Sequence, residues 1–150
     1  MGALPFSLLP DTAAIGDRGQ LLIGGCDTLE LAAEFLERVY INNWKSLAVG
    51  KVRYGVMLRE DGMVFDDGTT ARLGEQHYVM TTTTANAVKV MSTLEYLLQV
   101  EWRELNVYLT SVTEQWAAMA LAGPDARRVL QAVAPDVDWS NDALPYMGLC

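Results

Sequence analysis

The chain has 150 residues, 51% of them hydrophobic and 20% charged, a balance that excludes a disordered or fibrous protein. Eleven basic against nineteen acidic residues leave a net charge of −8, which argues against a general phosphate-binding surface and makes nucleic acid a poor partner. One domain is the expectation at this length, and its core can form without a disulfide or a metal.

Two cysteines, Cys26 and Cys150, and a single histidine, His77, make neither a disulfide framework nor a zinc site. The opening MGALPFSLLP has no basic stretch, and its apolar run is too short for a signal peptide. No run of about 18 apolar residues is present, so no membrane span is expected. A reduced, cytoplasmic setting follows.

Residues 1–19, with Pro5, Pro10, Gly16 and Gly19, carry no sustained period and read as an irregular lead-in to a domain over 20–150. Gln20 to Gly24 is a short apolar run that predicts a strand. Asp27 and Glu30 then have capping-box spacing, and apolar residues recur at helical intervals from Thr28 to Tyr40. Val52 to Leu58 predicts a strand, closed by the turn residues Glu60, Asp61 and Gly62. MVFDDGTTARL continues as a second strand through Leu73, with Gly68 as a candidate bulge, and HYVMTTTT supplies a third.

Thr84 is placed to cap a helix from Ala85 to Val100, whose apolar face holds Ala87, Val90, Met91, Leu94, Leu97 and Leu98. NVYLTSV and WAAMALAG predict two further strands. Pro124 and Asp125 start a last helix through Ala134, and Pro135 ends it. LLIGGCDTLELAAEFLERV and MALAGPDARRVLQAV echo each other as strand, glycine turn and helix, a likeness that such units share in general. The order is βα, βββ, α, ββ, α. It points to an α+β fold: a mixed, mostly antiparallel sheet with helices on one face, as in a ferredoxin-like layer. Dinucleotide-binding, phosphate-loop and nucleophile-elbow motifs are absent.

The densest polar cluster is RYGVMLREDGMVFDDGTTARL, from Arg53 to Leu73. Asp66 and Asp67 are adjacent, so on a strand they face opposite sides and cannot form an acid–base pair on one face. The pattern suits one functional carboxylate beside a structural or solvated neighbour. The plainer reading makes both of them solvated turn acids next to Gly68. Tyr54, on the preceding strand, reaches the carboxylate across the hairpin or simply packs as a half-buried aromatic. His77 reads as a surface histidine and Cys26 as a turn residue. The four tryptophans, Trp44, Trp102, Trp116 and Trp139, are scattered as core or interface anchors.

The run VGKVRYGVMLREDGMVFDDGTTARLGEQHYVMTTTTANAVKVM, with WAAMALAGPDARRVLQAV and ALPYM further on and FLERVYINNW before it, closely resembles a known family. These are the alpha subunits of bacterial heterotetrameric sarcosine oxidase, in the region related to the aminomethyltransferase of the glycine cleavage system. The resemblance covers residues 20–147.

It implies a tetrahydrofolate-binding domain that converts an imine, formed when sarcosine is demethylated oxidatively, into methylenetetrahydrofolate. Asp67 matches the family's catalytic aspartate, and Tyr54, Met57, Thr82, Thr83 and Thr84 match residues around the folate. Flavin and NAD sites would lie outside this chain, on other sarcosine oxidase subunits or domains. The family's second half, with a Gly-Glu-x-Gly-Tyr-Glu stretch and arginines for the folate tail, has no counterpart here. A fragment, inactive or weakly active by itself, is therefore expected. The alternative is a non-catalytic interaction module that associates as a homo-oligomer through apolar surface. A folate-dependent relative that supports iron–sulfur enzymes carries a Lys-Gly-Cys-Tyr segment, which is missing here.

Overall fold

The structure is a computed structural model and describes residues 19–25 and 31–150. Five strands form one sheet among these residues: β1 (Gly19–Gly25), β2 (Lys51–Leu58), β3 (Val64–Gly74), β4 (His77–Thr82) and β5 (Val107–Ser111). They are hydrogen-bonded in the order β2-β3-β4-β1-β5, and every pairing is antiparallel. The helices are α1 (Leu31–Val39), α2 (Ala87–Tyr96) and α3 (Ala126–Val133). The α+β class and the antiparallel sheet agree with the element order read from the sequence.

Helical spacing in α1 buries Ala32, Ala33, Phe35 and Leu36. Val90 and Leu94, one turn apart on α2, join them over Ile23, Met57, Tyr78 and Met80 of the sheet. The capping residues expected at Asp27 and Glu30, together with Cys26 and the lead-in 1–18, lie outside the described residues. Tyr40 and Trp44 continue the core beyond α1, packed edge to face with ring centres 5.2 Å apart. Arg72 is buried too; its guanidinium donates to the carbonyls of Leu47 at 2.7 Å and Glu75 at 2.8 Å and lies over the Tyr78 ring.

Four local expectations are corrected. WAAMALAG forms no strand: residues 116–122 are irregular, and nothing among the described residues pairs with them. An apolar run becomes a strand only where a neighbour takes its N–H and C=O groups. The echo between the two strand–turn–helix segments therefore fails at its second strand. Thr84 does not cap α2. A 3₁₀ turn at Thr84–Asn86 precedes the helix, and no threonine hydroxyl caps it.

Gly68 is no bulge, since it pairs directly with Gly55; the irregularities fall between Met57 and Leu58 and between Arg72 and Gly74. Nor are Asp66 and Asp67 turn acids, because both lie well inside β3.

The outer edge of β2 is covered. The Ile41 N–H donates to the Val56 carbonyl at 3.1 Å, and the Asn42 amide acts as a rung of the ladder. Its Oδ1 accepts the Val56 N–H at 3.0 Å and its Nδ2 donates to the Tyr54 carbonyl at 3.3 Å. Further along the same edge, the Val52 N–H donates to the Met147 carbonyl at 2.9 Å. Among the described residues no helix is long and apolar enough to cross a membrane, and no group of His, Cys, Asp or Glu could hold a metal ion.

Candidate functional site

Register decides what each face of the β2–β3 hairpin offers. Met57 stands opposite Asp66 and is 2% exposed, in the core beneath α1 and α2. Residues opposite one another share a face, so Asp66 points toward the helices. Asp67 is opposite Val56, and Tyr54 is opposite Thr69, two residues further along β3. Asp67 and Tyr54 are thus diagonal neighbours on the face away from α1 and α2, where Asp67 is half-buried and Tyr54 is 48% exposed.

Beside them, Thr81 of β4 replaces a rung of the ladder with its side chain. Its hydroxyl accepts the Thr69 N–H at 3.0 Å and lies 3.0 Å from the Thr69 hydroxyl. The close approach needs Gly68: a Cβ there would stand 2.0 Å from the Thr81 carbonyl oxygen. Backbone and hydroxyls tie β3 to β4 at this corner next to Asp67.

Asp66 serves a different end. Its carboxylate accepts the Thr83 N–H at 3.2 Å and the Asn86 Nδ2 at 3.1 Å, and Asn86 also donates to the Phe65 carbonyl at 3.3 Å. These bonds satisfy a buried acid and tie the turn that opens α2 to the strand. Beneath the hairpin, burial pushes the Tyr40 phenol well above the usual tyrosine range. The Thr70 hydroxyl works against that push, and the charges of Asp66 and Asp67 add to it.

The residues expected around the site therefore divide. Asp67 and Tyr54 come together on one face, exposed at Tyr54, while Val52, Ala71 and Val79 further along that face are buried. Thr83 and Thr84 are exposed at the turn before α2, one hydrogen bond from Asp66. Met57 and Thr82 are buried, with Met57 on the core side of the sheet. His77 is exposed at the start of β4, and Cys150 is a free, half-buried thiol.

The sequence allowed a structural neighbour beside the functional carboxylate, which is Asp66, but did not show that it anchors the α2 turn; the Asn42 rung and the Thr81 side-chain bonds were missed. Only for Asp66 was there a signal, the opposed facing of adjacent strand residues.

The fold recurs within a larger solved enzyme. The chain superposes on aminomethyltransferase T of the glycine cleavage system from Bartonella henselae with a TM-score of 0.67, at 21% identity, over 88% of this chain and 33% of that one. The family description of the GCVT N-terminal domain matches residues 19–150, and the chain belongs to that family. It is 54% identical over 129 residues to sarcosine oxidase subunit alpha of Rhizobium meliloti (strain 1021), covering 86% of this chain and 13% of that subunit. It is 34% identical over 135 residues to an aminomethyltransferase of Thermus thermophilus, covering 87% of this chain and 36% of that enzyme. The chain thus spans about an eighth of the length of the oxidase subunit it matches.

Proposed function

We propose that the sheet face bearing Asp67 and Tyr54 binds tetrahydrofolate, and that this domain performs aminomethyltransferase-type chemistry in the cytoplasm as part of a sarcosine oxidase alpha-type assembly. The observation that carries the reading is the diagonal pairing of a half-buried carboxylate with an exposed aromatic ring, on strands locked by Asn42 and Thr81, in a member of this family. Tyr54 offers a flat wall for a heterocycle. Asp67 accepts a hydrogen bond from a folate N–H and orients the nitrogen toward the one-carbon unit.

In the overall transfer, the imine carbon bonds to two folate nitrogens and its bond to the amine nitrogen breaks. The two folate N–H hydrogens end on the departing amine. Asp67 holds one of these protons on its way. Thr83 and Thr84 line the rim, while Met57 and Thr82 support the site from within the sheet. The imine comes from flavin chemistry elsewhere in the assembly.

Calorimetric titration of the chain with tetrahydrofolate tests this. Saturable binding, weakened at least tenfold by Asp67→Asn in a protein that melts as before, supports the reading; the loss corresponds to one charge-assisted hydrogen bond of about 1.5–3 kcal/mol. A folded chain without binding overturns it.

A second reading, association with other subunits or with a second copy, draws on exposed apolar side chains. Met119 is 62% exposed, Val133 of α3 78% and Tyr146 83%. A monomer at high concentration in sedimentation would refute self-association.

A further inference from the structure

Asp66 is 2% exposed and lies on the sheet face that Asp67 does not use. It nevertheless connects two parts of the proposed site. Its Oδ2 accepts the Thr83 N–H at 3.2 Å, and its Oδ1 accepts from Asn86 Nδ2 at 3.1 Å. The turn it holds carries exposed Thr83 and Thr84 and has no cap from its own side chains. Asp67 is the next residue along β3, and its backbone is carried by the strand to which the turn is tied.

We propose that Asp66 is a positioning residue for the folate site. Its carboxylate fixes the spacing between the Thr83–Thr84 turn and the Asp67 side chain, so that both contact one bound molecule without prior reordering. The proposal rests on the folate reading above and extends it to a residue that never touches the ligand. A merely structural acid would influence folding stability alone; a positioning acid also influences affinity in molecules that are fully folded. The physical reason is preorganisation. A turn released from Asp66 samples other arrangements, and the ligand must select one of them.

Asp66→Asn separates the two roles. It preserves shape but replaces one acceptor with an NH₂ group, so either the Thr83 N–H or the Asn86 amide meets a donor. With affinities measured well below both melting temperatures, the variant should bind tetrahydrofolate about tenfold more weakly, and the Thr83 amide should exchange with solvent about tenfold faster. Asp67→Asn, run alongside, should weaken binding and leave Thr83 exchange unchanged. Should Asp66→Asn fail to fold, Asn86→Ala removes one donor and keeps the carboxylate on Thr83; it should weaken binding in the same direction by a smaller factor.

Faster exchange at Thr83 with unaltered affinity would overturn positioning and leave Asp66 as a cap for α2. Unchanged exchange would show that the turn does not depend on Asp66, and would overturn the proposal at its base. A wild-type chain whose Thr83 amide is protected through Asp66, yet which binds no tetrahydrofolate, would refute the folate reading. In that case Asp66 keeps only its capping role.

Discussion

Gly55 and Gly68 stand directly opposite each other across the β2–β3 ladder, and neither has room for a side chain. A Cβ on Gly55 would lie 2.7 Å from a ring carbon of Trp44 and 2.8 Å from one of Tyr40. A Cβ on Gly68 would lie 2.0 Å from the Thr81 carbonyl oxygen, which belongs to the backbone and cannot rotate away. The absence of side chains at these two positions lets β4 and the aromatic core close on one hairpin. Gly68→Ala should therefore cost more than Gly55→Ala: about 3 kcal/mol or more against about 1–3 kcal/mol. Denaturant unfolding of both variants measures the difference, and equal losses would contradict the backbone clash.

Tyr54 should matter for ligand and hardly at all for folding. Half of the side chain is already exposed. Tyr54→Ala is expected to weaken tetrahydrofolate binding by about threefold to tenfold, the worth of a ring–ring contact, with a melting temperature close to that of wild type. Tyr54→Phe keeps the ring and should retain most of the affinity. Fluorescence titration distinguishes these outcomes; a larger effect of the Phe variant than of the Ala variant would refute a stacking role.

The Asn42 rung should stabilise the edge that carries Tyr54. Asn42→Ala leaves the Val56 N–H and the Tyr54 carbonyl without their partner, a loss of about 1–2 kcal/mol at this half-buried position. Asn42→Asp keeps the acceptor for Val56 and loses the donor to Tyr54, so its cost should be intermediate. Hydrogen exchange at the Val56 amide reads the effect residue by residue: fast in the Ala variant, slow in the Asp variant.

Tyr40 sets an alkaline limit to stability. Its folded-state ionisation lies above the ordinary tyrosine value of 10.0, chiefly through burial. A group whose folded value is raised contributes stability that is complete below its unfolded value and declines as pH rises beyond it. The unfolded phenol releases its proton first, so unfolding is favoured above about pH 10, by up to about 1.4 kcal/mol per pH unit for one proton. Tyr40→Phe should flatten that decline, which thermal melts from about pH 8 to about pH 11 would show. An identical slope in both proteins would exclude Tyr40 as its source.

Much of this molecule could be read along the chain. The helical spacing of α1 and α2, the strands β1 to β5 and the Asp-Gly turn between β2 and β3 are local patterns, and local patterns survive into the fold. Asp67 and Tyr54 came from a run of residues shared with a family, and register then placed them side by side. The failures have one cause in common. Whether WAAMALAG becomes a strand depends on a partner that its own residues do not specify, and what anchors the turn before α2 depends on an acid 17 residues earlier.

The order of residues by itself determined that Asp66 and Asp67 point to opposite sides, because successive side chains on a strand alternate. It could not say which side is the inside. Only the tertiary structure decided that, by setting Met57 opposite Asp66 under α1 and α2 and leaving Asp67 beside Tyr54 on the opposite face. A period of two has no preferred sign until a second layer covers one face.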